Sequence, residues 1–488
     1  MFLMEFFKNS LLKNTTTRQT ILKNTFWFTV SQGLSKVLRA IIVIYAARVL
    51  GTTQWGIFSF LLSLASILVL FSELGINSLV TRLVSRHPES PDTSINTAIT
   101  LRCILSIVFG ILFITLSSFS HSIPNAPLLF ALMAVVTLFD MLRDLGVCIA
   151  RGIEHLQIEA AIQIFSNFSI VTLGLLFLLK DPSVLSLTSA YAIASVAGFT
   201  LTIFLLRDYI TNLSFSLQWS EVKKVVFMAL PFSIPLIMGT IMANTDTVLI
   251  RYFGSLKDVG VYSAAQRLIQ ITAIIPGLLA VPLFPLMARL VQSDKKRLAT
   301  ILEKTLSFMV LLALPFTLYA IVYGKEVVHL VYGTEYMLAT ASLQVLAGTI
   351  LFTFPFTMLN NVIFSLDERW TIFSYSLIGV ICNGALDLLL IPSLGIAGAA
   401  LSTTINTAVI VLYTFFRVQK TLSISSAKIL SQLFIPTIIA CILTLILYYS
   451  HVHFLIAGII FIATYGIVLL NTKHPLIDEL VVLIKKPV

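Results

Sequence analysis

A chain of 488 residues that is 58% hydrophobic and only 11% charged is too apolar for a water-soluble globular protein, in which charged residues make up about 25%; the mean hydropathy of +0.98 agrees. The net charge of +10 does not point to nucleic acid, because the basic residues are spread thinly between apolar runs and do not gather on one hydrophilic domain. The four cysteines, Cys103, Cys148, Cys382 and Cys441, sit inside apolar runs without disulfide or metal-ligand spacing, which leaves redox chemistry and zinc without support.

In chain order, the first segment, from Met1 to about Lys23, is short, polar and basic. The apolar run that starts at Thr25 lacks a small-residue cleavage site and reads as a retained first helix. Runs of about 20 apolar residues, the length that crosses a bilayer, then follow one another. They predict spans at 24–46, 54–80, 95–119, 127–150, 158–180 and 184–206 in a first half. A second half supplies 224–250, 260–288, 305–323, 336–365, 371–391 and 395–416, and a last hairpin covers 429–449 and 453–472. The expected architecture is an all-α polytopic membrane protein of about fourteen spans. It reads as a six-helix bundle over 1–215, a second over 216–420, and a hairpin with a tail over 421–488. Very short turns are expected at Gly51–Thr53 and Pro392–Gly395.

Cytoplasmic loops carry an excess of Lys and Arg. With the N-terminus inside, 22 of the 32 basic residues fall on inside segments and 5 on outside ones. Both termini are therefore expected in the cytoplasm. Arg48-Val49-Leu50-Gly51 with Gly56-Ile57-Phe58-Ser59 matches Arg251-Tyr252-Phe253-Gly254 with Gly260-Val261-Tyr262-Ser263, and Arg82-Leu83-Val84 matches Arg289-Leu290-Val291. Both copies begin on odd-numbered spans, so the repeats run parallel, related by a pseudo-two-fold axis along the membrane normal. Parallel repeats suit alternating access.

Some of these residues also carry a family likeness. Ala47-Arg48-Val49-Leu50-Gly51, Trp55-Gly56-Ile57-Phe58 and Leu74-Gly75-Ile76 form the first set. Asp246 ahead of Arg251-Tyr252-Phe253-Gly254 and Gly260-Val261-Tyr262-Ser263-Ala264-Ala265, and the stretch Ile391 to Ala400, complete it. As a set, over roughly residues 20–420, this resembles the polysaccharide flippases of the multidrug/oligosaccharidyl-lipid/polysaccharide exporter superfamily. The resemblance implies a carrier of polyprenyl-pyrophosphate-linked oligosaccharide from the inner to the outer leaflet, with the last hairpin added to a twelve-helix core. It also implies a binding role for basic residues in the first and eighth helices.

Ionisable residues within spans are costly and usually face a bundle interior or a watery cavity. Lys36 and Arg39, three apart on the first helix, share a face. With Arg267 on the eighth helix and Arg102 on the third they would make a cationic cavity for pyrophosphate, the arginines supplying forked donors. Snorkelling is the other reading of Arg102, and pairing with Asp246 the other reading of Arg267. On the fourth helix Asp140, Arg143 and Asp144 read as a self-neutralised cluster or as a gate. Asp246, Asp387 and Glu73 have no partner nearby in sequence, and Asp246 and Asp387 are candidates to bind a coupling proton or sodium ion. Pro231, Pro235, Pro276, Pro282 and Pro285 predict kinks in the seventh and eighth helices.

No GxxxxGK[ST] phosphate loop and no HExxH occurs, so the chain reads as a transporter and not as an enzyme. The expected setting is the cytoplasmic (inner) membrane, with lipid-linked oligosaccharide and membrane lipids as partners, polysaccharide assembly proteins as further partners, and no nucleic acid. No cofactor is expected beyond the coupling ion. A drug exporter of the same superfamily is the alternative, although its cationic substrates want an acidic cavity. A membrane glycan polymerase or ligase is a further one, disfavoured by the short outside loops.

Overall fold

The computed structural model of the protein describes residues 17–87, 92–120, 122–450 and 452–471. The terminal lysines Lys8, Lys13, Lys473, Lys485 and Lys486 lie outside the described residues. Every regular element among the described residues is helical, and ten of these helices are long and apolar enough to cross a membrane. A helix satisfies its own backbone groups, which is what hydrocarbon demands. The chain is thus an all-helical, multi-pass membrane protein. It separates into two compact units, Met1–Asn244 and Thr245–Val488.

The first unit opens with α1 (Thr17–Glu73), in which two spans meet at a kink on Gly51 (φ 70°, ψ 175°). That conformation is essentially confined to glycine, so the short turn expected here is made by one residue. Leu74 and Gly75 then adopt positive φ and set off α2 (Ile76–Val84). The span expected as one helix over 54–80 is therefore broken. There follow α3 (Thr93–Thr115), α4 (Ala126–Gly152), α5 (Leu156–Lys180), α6 (Val184–Leu205) and the single turn α7 (Arg207–Ile210). Starts are set by local chemistry: Asp92 Oδ1 accepts from the Ile95 N–H at 2.8 Å, and Ser183 Oγ from the Ser186 N–H at 3.2 Å. Such caps satisfy amide groups that the first turn leaves open. The boundary between the units falls within α8 (Trp219–Phe253).

Within a bilayer, helices associate by close packing more than by hydrophobic drive, and small residues favour it. The first unit follows this rule. A Cβ on Gly146 would lie 2.2 Å from Thr202 Cγ2, one on Gly174 2.6 Å from Ile42 Cδ1, and one on Gly198 2.4 Å from Ser166 Oγ.

The second unit contains α9 (Leu256–Thr272), α10 (Ile274–Ser293), α11 (Lys295–Val322), α12 (Gly324–Tyr332), α13 (Ala339–Ser365), α14 (Arg369–Leu394), α15 (Ile396–Leu422), α16 (Ser426–Tyr449) and α17 (Phe454–Asn471). A capping box of Ser255 and Asp258 starts α9. The helix expected over 260–288 is interrupted at Ala273. Pro276 accounts for the place, since a proline ring collides with the carbonyl four residues earlier, here that of Thr272. By contrast α8 runs through positions 231 and 235 as continuous helix. Gly395 (φ 59°, ψ −137°) forms the turn between α14 and α15. The α16–α17 hairpin packs on α11 through Leu311, Leu314, Ala440, Ala457, Phe461 and Tyr465.

Candidate transport site

Charged and polar side chains gather in each unit, and the two gatherings differ in chemistry. In the first unit Lys36 and Arg39 are both exposed near the middle of the first span of α1. Arg39 Nη2 donates to Asn167 Oδ1 on α5 at 3.4 Å, and Asn167 is itself held by its Nδ2 on the Gln163 carbonyl at 2.8 Å. Asp140 on α4 lies within electrostatic range of Arg39. One turn on, Arg143 is buried and bonds Asp140 Oδ1 at 2.8 Å and Asp144 Oδ1 at 2.9 Å. A single guanidinium thus ties both carboxylates.

Arg102 differs from both readings of it as an exposed group. It is 1% exposed, and its Nη1 donates to Ser72 Oγ at 2.7 Å. Ser72 Oγ in turn lies 2.8 Å from Met141 Sδ. Glu73 and Asp144 are in electrostatic range of this arginine, so Glu73 does have a partner that its sequence neighbourhood does not reveal. Arg102 does not snorkel, because its guanidinium is taken up inside the packing of α1, α3 and α4.

In the second unit, Asp246 on α8 and Asp387 on α14 are both buried, 1% and 0% exposed. Asn383, one turn before Asp387, joins them: its Nδ2 donates to Asp246 Oδ1 at 3.0 Å and to Asp387 Oδ2 at 2.9 Å. Asp246 Oδ2 also accepts from the Tyr262 hydroxyl and from Thr403 Oγ1 at 2.5 Å. Ser402 Oγ lies 3.3 Å from Asn383 Nδ2. Asp387 Oδ1 is buried and accepts no hydrogen bond among the described residues. Arg267, half-buried on α9, directs Nη1 to Gln270 Oε1 at 2.9 Å.

Asp246 and Asp387 are expected from sequence, whereas Asn383, Tyr262, Ser402 and Thr403 are not. The spacing of Asn383 and Asp387, four residues apart, does place an amide and a carboxylate on one helix face. The partners on α15, Ser402 and Thr403, come from tertiary packing, and no local pattern marks them, while Tyr262 on α9 lies within the repeated Gly260–Ser263 motif.

The family described as polysaccharide biosynthesis protein matches residues 21–291, more than half of the chain. The chain belongs to this family. Among its relatives is a Haloferax volcanii protein named as a candidate low-salt glycan biosynthesis flippase, Agl15. It is 23% identical over 374 residues, 75% of this chain and 77% of the relative. The capsular polysaccharide biosynthesis protein CapF of Staphylococcus aureus is 20% identical over 405 residues, 81% of this chain and 99% of CapF. In fold, the chain is similar to the lipid II flippase MurJ in an inward closed conformation. The TM-score is 0.75 at 16% identity, over 92% of this chain and 99% of the other.

Proposed function

We propose that this member of the polysaccharide biosynthesis family is a flippase that moves a polyprenyl-pyrophosphate-linked oligosaccharide, a surface polysaccharide repeat unit, from the inner to the outer leaflet by alternating access. The observation that carries the reading is the Lys36–Arg39 pair, two exposed cations on one face of a spanning helix. Hydrocarbon does not tolerate such a pair, so it belongs beside water, where a pyrophosphate would neutralise it. Arginine supplies two parallel donors to phosphate oxygens and lysine a mobile point charge. Asn167 holds the guanidinium of Arg39 in orientation. Arg267 is a further substrate contact in this reading, while Arg102, packed on Ser72, acts as a structural cation. The relatives named for glycan flipping and capsule synthesis support the same substrate class.

Energy would enter at the second unit. Two buried carboxylates bridged by one amide cannot both carry charge without a cation, since like charges at this separation repel strongly in low dielectric. A proton or a sodium ion on Asp246 and Asp387 relieves that repulsion, and we infer that this pair is the coupling site. The Asp140–Arg143–Asp144 triad is read as a gate whose ion pairs rearrange as the first unit moves. About fourteen spans, cytoplasmic termini and residence in the cytoplasmic membrane complete the proposal, which leaves room for polysaccharide assembly proteins as partners.

Depletion of the protein in its host tests this. The expected result is accumulation of complete lipid-linked repeat units shielded from a probe acting outside, with loss of surface glycan. Unchanged lipid-linked sugar together with altered sensitivity to cationic drugs would overturn the flippase reading and favour an exporter.

A further inference from the structure

The segment that leads from α7 into α8, residues 211–218, takes no part in the transport site. Its sequence alternates, with Leu213, Phe215 and Leu217 set between Ser214, Ser216 and Gln218. The polar positions are stitched to α3. The Ser214 N–H donates to Asn96 Oδ1 at 3.1 Å, the Ser216 N–H to Thr100 Oγ1 at 3.4 Å, and Thr97 Oγ1 to Ser216 Oγ at 3.2 Å. Asn96, Thr97 and Thr100 are buried beneath it. From Asn96 to Thr100 is a rise of about 6 Å along the helix, directed into the span that begins at Thr93. The segment therefore dips beside a membrane-crossing helix, and its amides take side-chain acceptors where water is scarce.

Leu213 packs on the core of the first unit, whereas Phe215 is 79% exposed and Leu217 48%, and Trp219 at the start of α8 is 71% exposed. Phe204 at the end of α6 and Phe227 on α8 are likewise exposed, 64% and 77%. Aromatic rings at the ends of spans belong to the headgroup layer. Two cations lie over these rings, the Arg207 guanidinium 5.9 Å from the Phe204 centroid and the Lys223 ammonium 5.5 Å from that of Trp219. The acids nearby are otherwise engaged. Glu221 accepts from Ser94 Oγ at 3.0 Å and Lys224 Nζ at 3.3 Å, and Asp208 meets Arg207 at 3.4 Å in an exposed pair of little strength.

We propose that this segment is a binding site for anionic phospholipid, in which Phe215, Leu217 and Trp219 enter the headgroup layer and Arg207 and Lys223 hold headgroup phosphates. In the proposed orientation this is the cytoplasmic leaflet. The site fixes the segment between α7 and α8 to the membrane surface and makes the protein sensitive to the anionic lipid content around it. It is independent of which substrate the protein carries.

The test uses the full chain in two measurements. In bilayers containing brominated lipids, the fluorescence difference between wild type and Trp219→Phe isolates Trp219, and bromine near the headgroup should quench it most. In detergent, phosphatidylglycerol should bind wild type more tightly than phosphatidylcholine does, and Arg207→Gln with Lys223→Gln should weaken phosphatidylglycerol about tenfold or more, given the contribution of each cation at an anionic surface. Both substituted residues are exposed, so the fold is retained, and an unchanged unfolding temperature without lipid checks this. Three results would overturn the proposal. They are a Trp219 that no brominated lipid quenches, a double variant with undiminished preference for phosphatidylglycerol, and competition by inorganic pyrophosphate at equal affinity, which would assign the cations to a soluble phosphate.

Discussion

The two units of the molecule treat charge in opposite ways. The first sets cations beside carboxylates, Arg143 between Asp140 and Asp144 and Arg102 with Glu73 in range, while Arg39 rests on the neutral Asn167. The second buries two carboxylates against neutral partners, the Asn383 amide and the hydroxyls of Tyr262 and Thr403. In the proposed reading the exposed Lys36 and Arg39 are offered to an anion. In the same reading a proton or a cation completes the carboxylate pair. Substrate recognition and energy input, as proposed, therefore draw on different residues, the first on Lys36 and Arg39 and the second on Asp246 and Asp387.

The largest effect expected from breaking that division is at the carboxylate pair. Asp387→Asn and Asp246→Asn should each abolish ion-driven transport while leaving unfolding temperature unchanged or raised, because each removes one charge from a repelling pair. A lowered unfolding temperature in both would make the pair structural. Next, Arg39→Ala should abolish transport with normal membrane insertion, and Arg39→Lys should restore only part of it, since an ammonium lacks the forked geometry. Full activity of Arg39→Ala would remove the substrate role of this face.

The balance within the first unit is open to the same kind of attack. Arg143→Met strands two carboxylates. Loss of one partner from a fully buried pair costs roughly 3–5 kcal/mol, and because the side chains of Asp140 and Asp144 are 34% and 46% exposed, about 2 kcal/mol is expected here, read as a lower unfolding temperature. Glycine packing gives a contrast between units. Gly198→Ala must displace Ser166 Oγ and should destabilise by roughly 1–3 kcal/mol. Gly384→Ala on α14 meets nothing within 4 Å and should stabilise by up to about 1 kcal/mol. The smallest effect concerns His155, at the turn between α4 and α5, where burial and then Lys23 hold the imidazole below its usual range. Its neutral form is favoured by the fold, so its contribution is complete above about pH 6.5 and declines as pH falls toward the lowered value. His155→Gln should flatten that part of a stability–pH curve.

Much of the fold is legible in the sequence because the bilayer imposes a simple rule. Apolar runs and the short turns at Gly51 and Gly395 state where spans lie and turn. The breaks at Leu74–Gly75 and Ala273 are harder to read, since the flanking residues stay apolar and hydropathy passes over them. At the site, Lys36, Arg39, Asp246 and Asp387 are visible as charges where charge is costly. Asn383 is invisible as a bridge because its meaning depends on Asp246, far away in the chain and brought near only by the packing of α8 against α14. Arg102 misleads for the same reason: its position near a helix start suggests the surface, and Ser72 and Met141 enclose it.

The most direct test of the account is flipping by the purified protein in vesicles, with a fluorescent polyprenyl-pyrophosphate oligosaccharide and an imposed proton or sodium gradient. The account predicts that one of the two gradients accelerates delivery to the far leaflet, that Asp387→Asn loses this acceleration, and that Arg39→Ala fails to move the lipid under any gradient. Equal flipping by wild type and Asp387→Asn under both gradients would contradict it.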